Sequence, residues 1–450
     1  MNPTGNTTHR IIFILVAIST FLFIFSNLEF TPWPEMLLWP YLMNHGWLPY
    51  RDIAIIHSPL LLVLLSLFTS LVGIGVIQIK IFAWILILLT GLLLLSLKKS
   101  YTVLIIWLTL LIRYQGNSLW FESLLTPVIV LLFVLLTAKK YFISGVIFAI
   151  ALLIKQTAFW FTLPVLLLLI PDRKFKPILI FSLGATLIIL IFFSFLVFFQ
   201  LIGSYYYWSI DFGVLKMPFM SGHTKATLSQ YIVSFWPFLV ILFIPFVKNR
   251  LLLASFAFWA IAGIMGTFPR WELFHFQPGL PFLAVLIFEI GRAIYSQKKT
   301  PILLFSSYLF ITGLIIIRSL AVSWHDPDRF MEMQVQDVVS YISIHTNKSE
   351  KIFVINTWDN IYPLSKRLPS TKPWVPGLPW YMGLPGIQDR LISDLKVDPP
   401  SLVVFNDHSL TGLGSYRPDK LEDYIFSSYY KAVSFNSGMW ILLPKTNKFR

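Results

Sequence analysis

Apolar runs dominate this chain. They fall at about residues 11–28, 59–79, 81–97, 101–113, 120–137, 141–154, 158–170, 177–202, 229–247, 251–268, 278–295 and 301–320. Several reach the roughly 17–25 residues that cross a bilayer as a helix. In hydrocarbon the backbone must satisfy its own hydrogen bonds, which leaves helices and closed barrels as the only spanning structures. A barrel would show alternating segments of ~10 residues; these runs do not alternate. Only 12% of residues are charged and the mean hydropathy is +0.74, against about 25% charged in a soluble domain. The expectation is a polytopic α-helical membrane protein with about 11–13 transmembrane helices. The chain has no cysteine, so disulfides, thiolate catalysis and cysteine-ligated metal sites are excluded. The net charge of +14 fits basic cytoplasmic loops. No basic run is dense enough for a nucleic-acid site.

From residue 321 charges and prolines return, and no run reaches spanning length. Residues 1–320 therefore read as the membrane domain and 321–450 as a soluble tail, large enough for a small domain. Within the tail, 331–345 has helical spacing, whereas 351–356 (KIFVIN), 402–406 (LVVFN) and 439–443 suit buried strands. A further helix is expected at 420–430, which makes the tail a small α/β domain. Triplets at Asn6 and Asn347 match the glycosylation pattern. The first run follows His9 and Arg10 with no small-residue cleavage site after it, and reads as an uncleaved anchor.

Basic connectors orient the chain. They are Lys139 with Lys140, residues 172–176 (DRKFK), 248–250 (KNR) and 297–299 (QKK). With all four in the cytoplasm, the tail, a loop at 203–228 and a loop at 269–277 lie outside. With a cytoplasmic N-terminus, the 29–58 loop does too. The runs at 59–79, 81–97 and 101–113 make an odd number where an even one is needed, so the short 101–113 run is expected to be re-entrant or to belong to two short crossings.

Polar residues that sit oddly in apolar sequence gather on this outer side. The 29–58 loop carries Glu35, Arg51, Asp52 and His57. Glu122 opens a helix, Lys155 and Gln156 occupy a hairpin tip, and Arg270, Glu272 and His275 follow in PRWELFHFQPGLP. Ionisable groups in membrane helices cost about 2.5–3.5 kcal/mol at the bilayer centre and mark functional sites. Trp33, Trp39, Trp47, Trp120, Trp160, Trp208 and Trp271 read as an aromatic belt. A site of this composition suits a lipid-linked phosphate: cations hold the phosphate and a carboxylate, best Glu35, removes a proton from an acceptor.

The pattern resembles the GT-C glycosyltransferases that use polyprenyl-phosphate sugars, near the family-39-like branch of protein O-mannosyltransferases and aminoarabinose transferases. The resemblance rests on Glu35 in the first external loop, the GxxPYRD run at 46–52, and HxPL at 57–60 leading into a helix. It continues with Glu122, the small-residue helix that ends at Lys155, the motif at 269–281, and an outward α/β tail. It implies Glu35 as general base, with Lys155 and Arg270 holding the lipid phosphate. Asp52 and Glu122 are further catalytic candidates. Arg51, His57, Gln156 and His275 are further phosphate- or substrate-binding candidates.

The expected activity is transfer of a sugar from a polyprenyl-phosphate donor to an extracytoplasmic protein, lipid or glycan acceptor, in the plasma membrane. No cofactor or obligatory metal and no nucleic-acid partner are expected. A transporter or flippase, or a ligase or polymerase of lipid-linked glycans, remains the alternative.

Overall fold

The structure, a computed structural model, describes residues 18–170, 175–220, 225–268, 270–297, 301–407, 417–435 and 438–445. The start of the first apolar run, the Asn6 triplet, Asp172 to Lys174, Pro269, Lys298 and Lys299 lie outside these. The chain is a multi-pass helical membrane protein. Among the described residues six helices are long and apolar enough to span: Val76–Lys98, Phe175–Phe198, Leu228–Phe246, Arg250–Thr267, Leu273–Ser296 and Ile302–Ser323. Six shorter apolar helices accompany them: Ile18–Asn27, Leu60–Val72, Tyr101–Arg113, Phe121–Thr137, Tyr141–Ile154 and Gln156–Leu169.

The structure accounts for the odd count of runs. Gly73, with φ +83°, ends one helix at Val72, and the next starts at Val76. The 13-residue helix Leu60–Val72 is about 20 Å long, well short of the ~30 Å hydrocarbon core. Both its ends stay with the 29–58 segment. His57 precedes it, and near its far end Thr69 and Ser66 hydrogen-bond Asn44 (3.1 and 2.5 Å). Just beyond, Lys80 lies over the Phe30 ring and 3.4 Å from Asp328. Leu60–Val72 therefore lies against the first loop. Tyr101–Arg113 is one uninterrupted helix of 13 residues followed by the Tyr114 turn and β2, so the run is not divided into two crossings. Lys98 reaches Glu289 (2.9 Å), which also pairs with Arg292 (2.6 Å).

Two expected loops are ordered helix. Residues 202–219 run as successive helical turns, and Trp208 and Phe212 pack on Tyr381 of the tail (5.8 and 5.0 Å between rings). The 29–58 segment holds a helix at Pro34–Asn44, with Pro34 in its first turn where the missing N–H costs nothing. Strand β1 (Thr31–Pro32) just before it pairs in parallel with β2 (Ser118–Leu119). Asn117 locks the joint, donating to the carbonyls of Phe25, Leu28 and Glu29 (2.9–3.1 Å) while its oxygen accepts from Trp84.

The tail folds as expected into a small α/β unit. Its sheet has the order β4 (Leu368–Pro369), β3 (Lys351–Ile355), β5 (Leu402–Asn406), β7 (Met439–Pro444), β6 (Tyr429–Phe435). The β3–β4 and β3–β5 pairs are parallel, and β7 is antiparallel to both neighbours. The expected helix at 420–430 runs Asp419–Ser428, after which the chain turns directly into β6. The tail docks on the first loop through backbone bonds: Trp374 N–H donates to the Asp52 carbonyl and the Trp374 carbonyl accepts from Ala54 N–H, both at 2.9 Å.

Candidate active site

Three elements bring the polar residues together. Glu122 sits in the first turn of Phe121–Thr137. Lys155 interrupts the helical path with extended backbone (φ −153°, ψ 134°) between Ile154 and Gln156. His275 lies in the tight turns of Leu273–Gly279. The three are 1%, 4% and 6% exposed. Lys155 Nζ and His275 Nδ1 both hydrogen-bond Glu122 Oε1 and lie 3.2 Å from each other. Charges this deep persist only when paired, so Glu122 is the counter-ion of Lys155. His57 caps the cluster, its ring 4.3 Å from that of Phe121 and 5.9 Å from that of Trp120. Burial first, then the Lys155 charge, hold its pKa well below the usual imidazole value, so it faces the cluster as a neutral ring. Gln156 ties the Lys155 bend to the first loop by donating to the Ile56 carbonyl (2.7 Å).

Beside this cluster lies a cavity of about 340 Å³. Glu35 and Arg270 both line it. Arg270 bonds Glu272 (3.2 Å), and its guanidinium lies over the rings of Trp33 and Trp380 (5.5 and 5.6 Å). Stacking holds the fork flat while leaving edge N–H groups for an anion; its buried Nε has no partner. Glu35 Oε2 is likewise buried and unpartnered. Burial raises the Glu35 pKa, and its own backbone N–H and the Arg270 charge oppose the rise. An acid shifted upward in this way is a better proton acceptor near neutral pH than a solvated one.

Of the candidates only Glu35 and Arg270 line the cavity; Glu122, Lys155, His57, Gln156 and His275 form the neighbouring cluster, and Arg51 and Asp52 belong to neither group. Asp52 accepts from Leu48 N–H (2.9 Å), pairs with Arg51 (3.2 Å) and Lys372 (3.6 Å), and so closes the turn on which the tail docks. Arg51 is half exposed and serves that turn. The aromatic belt also needs correction: Trp33, Trp39, Trp47, Trp120, Trp208 and Trp271 are buried, and only Trp160 of the seven is exposed, at 44%. Trp33 alone touches Trp120, Phe274 and Phe330. Trp33 and Trp271 line the cavity described above, and the other buried rings pack inside the protein.

The structure adds groups that sequence reasoning passed over. Gln115, Arg329, Thr357 and Asp359 line the same cavity, the last three from beyond the membrane helices. Arg329 lies over Trp33 and Phe330 (5.3 and 4.9 Å). Among the described residues no three His, Asp or Glu side chains are grouped as metal ligands.

No family model matches the sequence, and no curated protein matches it. Solved structures do. The crystal structure of ArnT from Cupriavidus metallidurans bound to undecaprenyl phosphate has a TM-score of 0.62 at 12% identity, over 99% of this chain and 99% of that one. The apo form of the same protein has a TM-score of 0.63 at 10% identity, over 97% and 98%. At such identity the likeness is one of fold, and it runs from end to end: the chain shares the fold of these structures.

Proposed function

We propose that this protein is an integral-membrane glycosyltransferase that moves a sugar from a polyprenyl-phosphate donor to an acceptor on the extracytoplasmic face, the side of the first loop and the tail. The observation that carries the reading is the unpartnered Oε2 of Glu35 in one cavity with the stacked guanidinium of Arg270. Support also comes from the fold, shared with a protein whose crystal structure holds undecaprenyl phosphate.

In this reading the lipid phosphate meets Arg270, whose planar fork matches two phosphate oxygens. Lys155 adds positive charge from behind, balanced by Glu122 until the donor's anion arrives. Glu35 takes the proton from the acceptor hydroxyl. The acceptor oxygen attacks the anomeric carbon, the bond from that carbon to the phosphate oxygen breaks, and the electron pair leaves with the phosphate. A phosphate leaving group needs no protonating acid, which fits a site rich in cations. His57 and His275 lie beside Lys155, outside the cavity lining. The acceptor is a protein, a lipid or a glycan that enters between the first loop and the tail.

The test is turnover of polyprenyl-phosphate sugars by protein in nanodiscs. Glu35→Gln should lower the rate by about 10²–10⁴, the usual contribution of a general base, with donor binding unchanged. Arg270→Ala should weaken donor binding by about 10-fold to 100-fold, as expected for a lost charge-assisted bond of ~1.5–3 kcal/mol. Full turnover in Glu35→Gln would remove the base. Failure of the wild type to bind any polyprenyl-phosphate sugar would favour a transporter instead.

A further inference from the structure

A second cavity, of about 380 Å³, lies where three parts of the chain meet. His45, at the C-terminal end of Pro34–Asn44, forms one wall. Thr69 and Ile74, from the far end of Leu60–Val72 and the turn after it, form the second. Lys348 and Lys366 of the tail form the third. Neither Glu35 and Arg270 nor the buried cluster takes part in its lining. The spanning helix Val76–Lys98 starts just after Ile74, so the cavity sits where that helix leaves the hydrocarbon, on the face of the first loop and the tail.

The charge around this cavity is one-sided. No acid lines it. Lys348 and Lys366 are exposed, and among the described residues neither has an acid in ion-pair contact. Glu350, the acid nearest Lys348 in sequence, bonds Asn347 (2.8 Å) instead. Behind the wall Arg367 is 4% exposed. Its hydrogen-bond acceptors are the Thr346 hydroxyl and the carbonyls of Thr346, Ser365 and Lys366. All four are neutral, which leaves a buried cation with no counter-ion, a costly arrangement. Burial pushes the pKa of Tyr41, in the cavity wall, up to about 12, and the Arg367 charge opposes the rise, so that charge reaches the cavity. The carbonyls at the end of Pro34–Asn44 do not compete for the lysines. His45 Nδ1 bonds that of Tyr41, and the N–H groups of His45, Gly46 and Trp47 serve those of Leu42 and Met43. Beside the cations lies apolar surface. Leu64, Leu67 and Leu71 fall three and four residues apart on one face of their helix and are 36%, 59% and 85% exposed.

We propose that this cavity binds the headgroup of an anionic phospholipid, its phosphate between Lys348 and Lys366 and its acyl chains along the Leu64, Leu67 and Leu71 stripe. Charge complementarity selects the occupant. A zwitterionic lipid would bring its own cation among uncompensated cations, and free phosphate would leave the apolar stripe uncovered. A lysine near a membrane surface attracts anionic lipid, and an apolar helix face at that depth lies in the acyl boundary. Because the walls come from the first loop, Leu60–Val72 and the tail, the bound lipid ties all three together. The site is independent of the transfer chemistry.

The test is a titration of the purified protein, in an uncharged detergent, with dioctanoyl phosphatidylglycerol, read by melting temperature. Dioctanoyl phosphatidylcholine and inorganic phosphate are titrated in parallel. Phosphatidylglycerol should give a saturable rise. Lys348→Gln and Lys366→Gln should each raise its half-saturating concentration about fivefold, and the two together about 30-fold. Both side chains are exposed, so the lipid-free melting temperature should stay at the wild-type value. Lys139→Gln with Lys140→Gln removes the same charge from another connector and should leave the titration unchanged. An equal loss in both double variants would reduce the effect to net charge and overturn the proposal. No saturable rise, an equal rise with phosphatidylcholine, or half-saturation by inorganic phosphate at the lipid's concentration would also overturn it. No sugar donor is present, so failure of the glycosyltransferase reading is a separate result, read from turnover.

Discussion

Lys155→Met is the most informative single change, because it separates the buried cluster's stability from its chemistry. Glu122 is 1% exposed, and Lys155 and His275 are its side-chain partners, both on Oε1, while Oε2 has none. At an effective dielectric of about 20, unit charges ~3 Å apart attract by about 5 kcal/mol. Removing one partner of a buried pair costs about 3–5 kcal/mol, since the other charge is stranded. Lys155→Met should lower the unfolding free energy by that amount. Adding Glu122→Gln removes the stranded charge, so the double variant should be more stable than Lys155→Met alone. The coupling in the cycle should reach at least about 2 kcal/mol, within the range for residues in one network. The assay is reversible denaturation in detergent micelles near neutral pH. Additive single changes, or a loss below about 1 kcal/mol, would refute the claim that this pair is the buried keystone of the site.

The remaining predictions concern packing and docking. Gly145 and Gly184 face each other where helices Tyr141–Ile154 and Phe175–Phe198 touch, and a Cβ on either would run into the Phe181 or Phe142 carbonyl of the other helix. Gly145→Ala should therefore force the pair apart and cost about 1–3 kcal/mol or more. Gly313→Ala, with nothing within 4 Å, should be neutral, and equal melting temperatures for the two variants would contradict the close approach. Burial pushes the Asp52 pKa up, but bonds from Arg51 and Leu48 and the charges of Lys372 and Arg51 outweigh it and hold the value below the ordinary one. A lowered carboxyl pKa stabilises above the unfolded value and loses that stability as pH falls through the folded one. Asp52→Asn should expose the tail to proteolysis at neutral pH, with a loss of about 1–3 kcal/mol. Variant and wild type should converge only below about pH 4; convergence above about pH 5 would show that Asp52 does not hold the tail by its charge.

Much of this protein was legible in the chain because the governing signals are local. Apolar length alone marks a helix that must satisfy its backbone in hydrocarbon, and β-branched runs at 351–355 and 402–406 mark buried strands. An ionisable residue in or beside such a run is conspicuous wherever it falls, which is how Glu35, Glu122, Lys155, Arg270 and His275 are picked out. Hydropathy could not tell that Leu60–Val72 lies against the first loop, since a lying helix and a crossing one are equally greasy and only the contacts to Asn44 and Lys80's position distinguish them. Nor could it separate Asp52 from the site, because closeness along the chain is not closeness in space.

What tertiary structure alone decided is which charges meet. Glu122, Lys155 and His275 come from three elements, 33 and 120 residues apart in successive steps, and their pairing depends on how the helices pack. Asp359 and Arg329 lie in ordinary polar sequence, where a charged residue attracts no notice. They become part of the site only because the tail folds back and Trp374 pairs with the first loop. The sequence by itself determined that this chain spans the membrane, carries an α/β tail and concentrates polar groups toward one face. Whether those groups make a base, a phosphate clamp or a structural turn depended on desolvation and on the partner across the cavity, and both are properties of the folded whole.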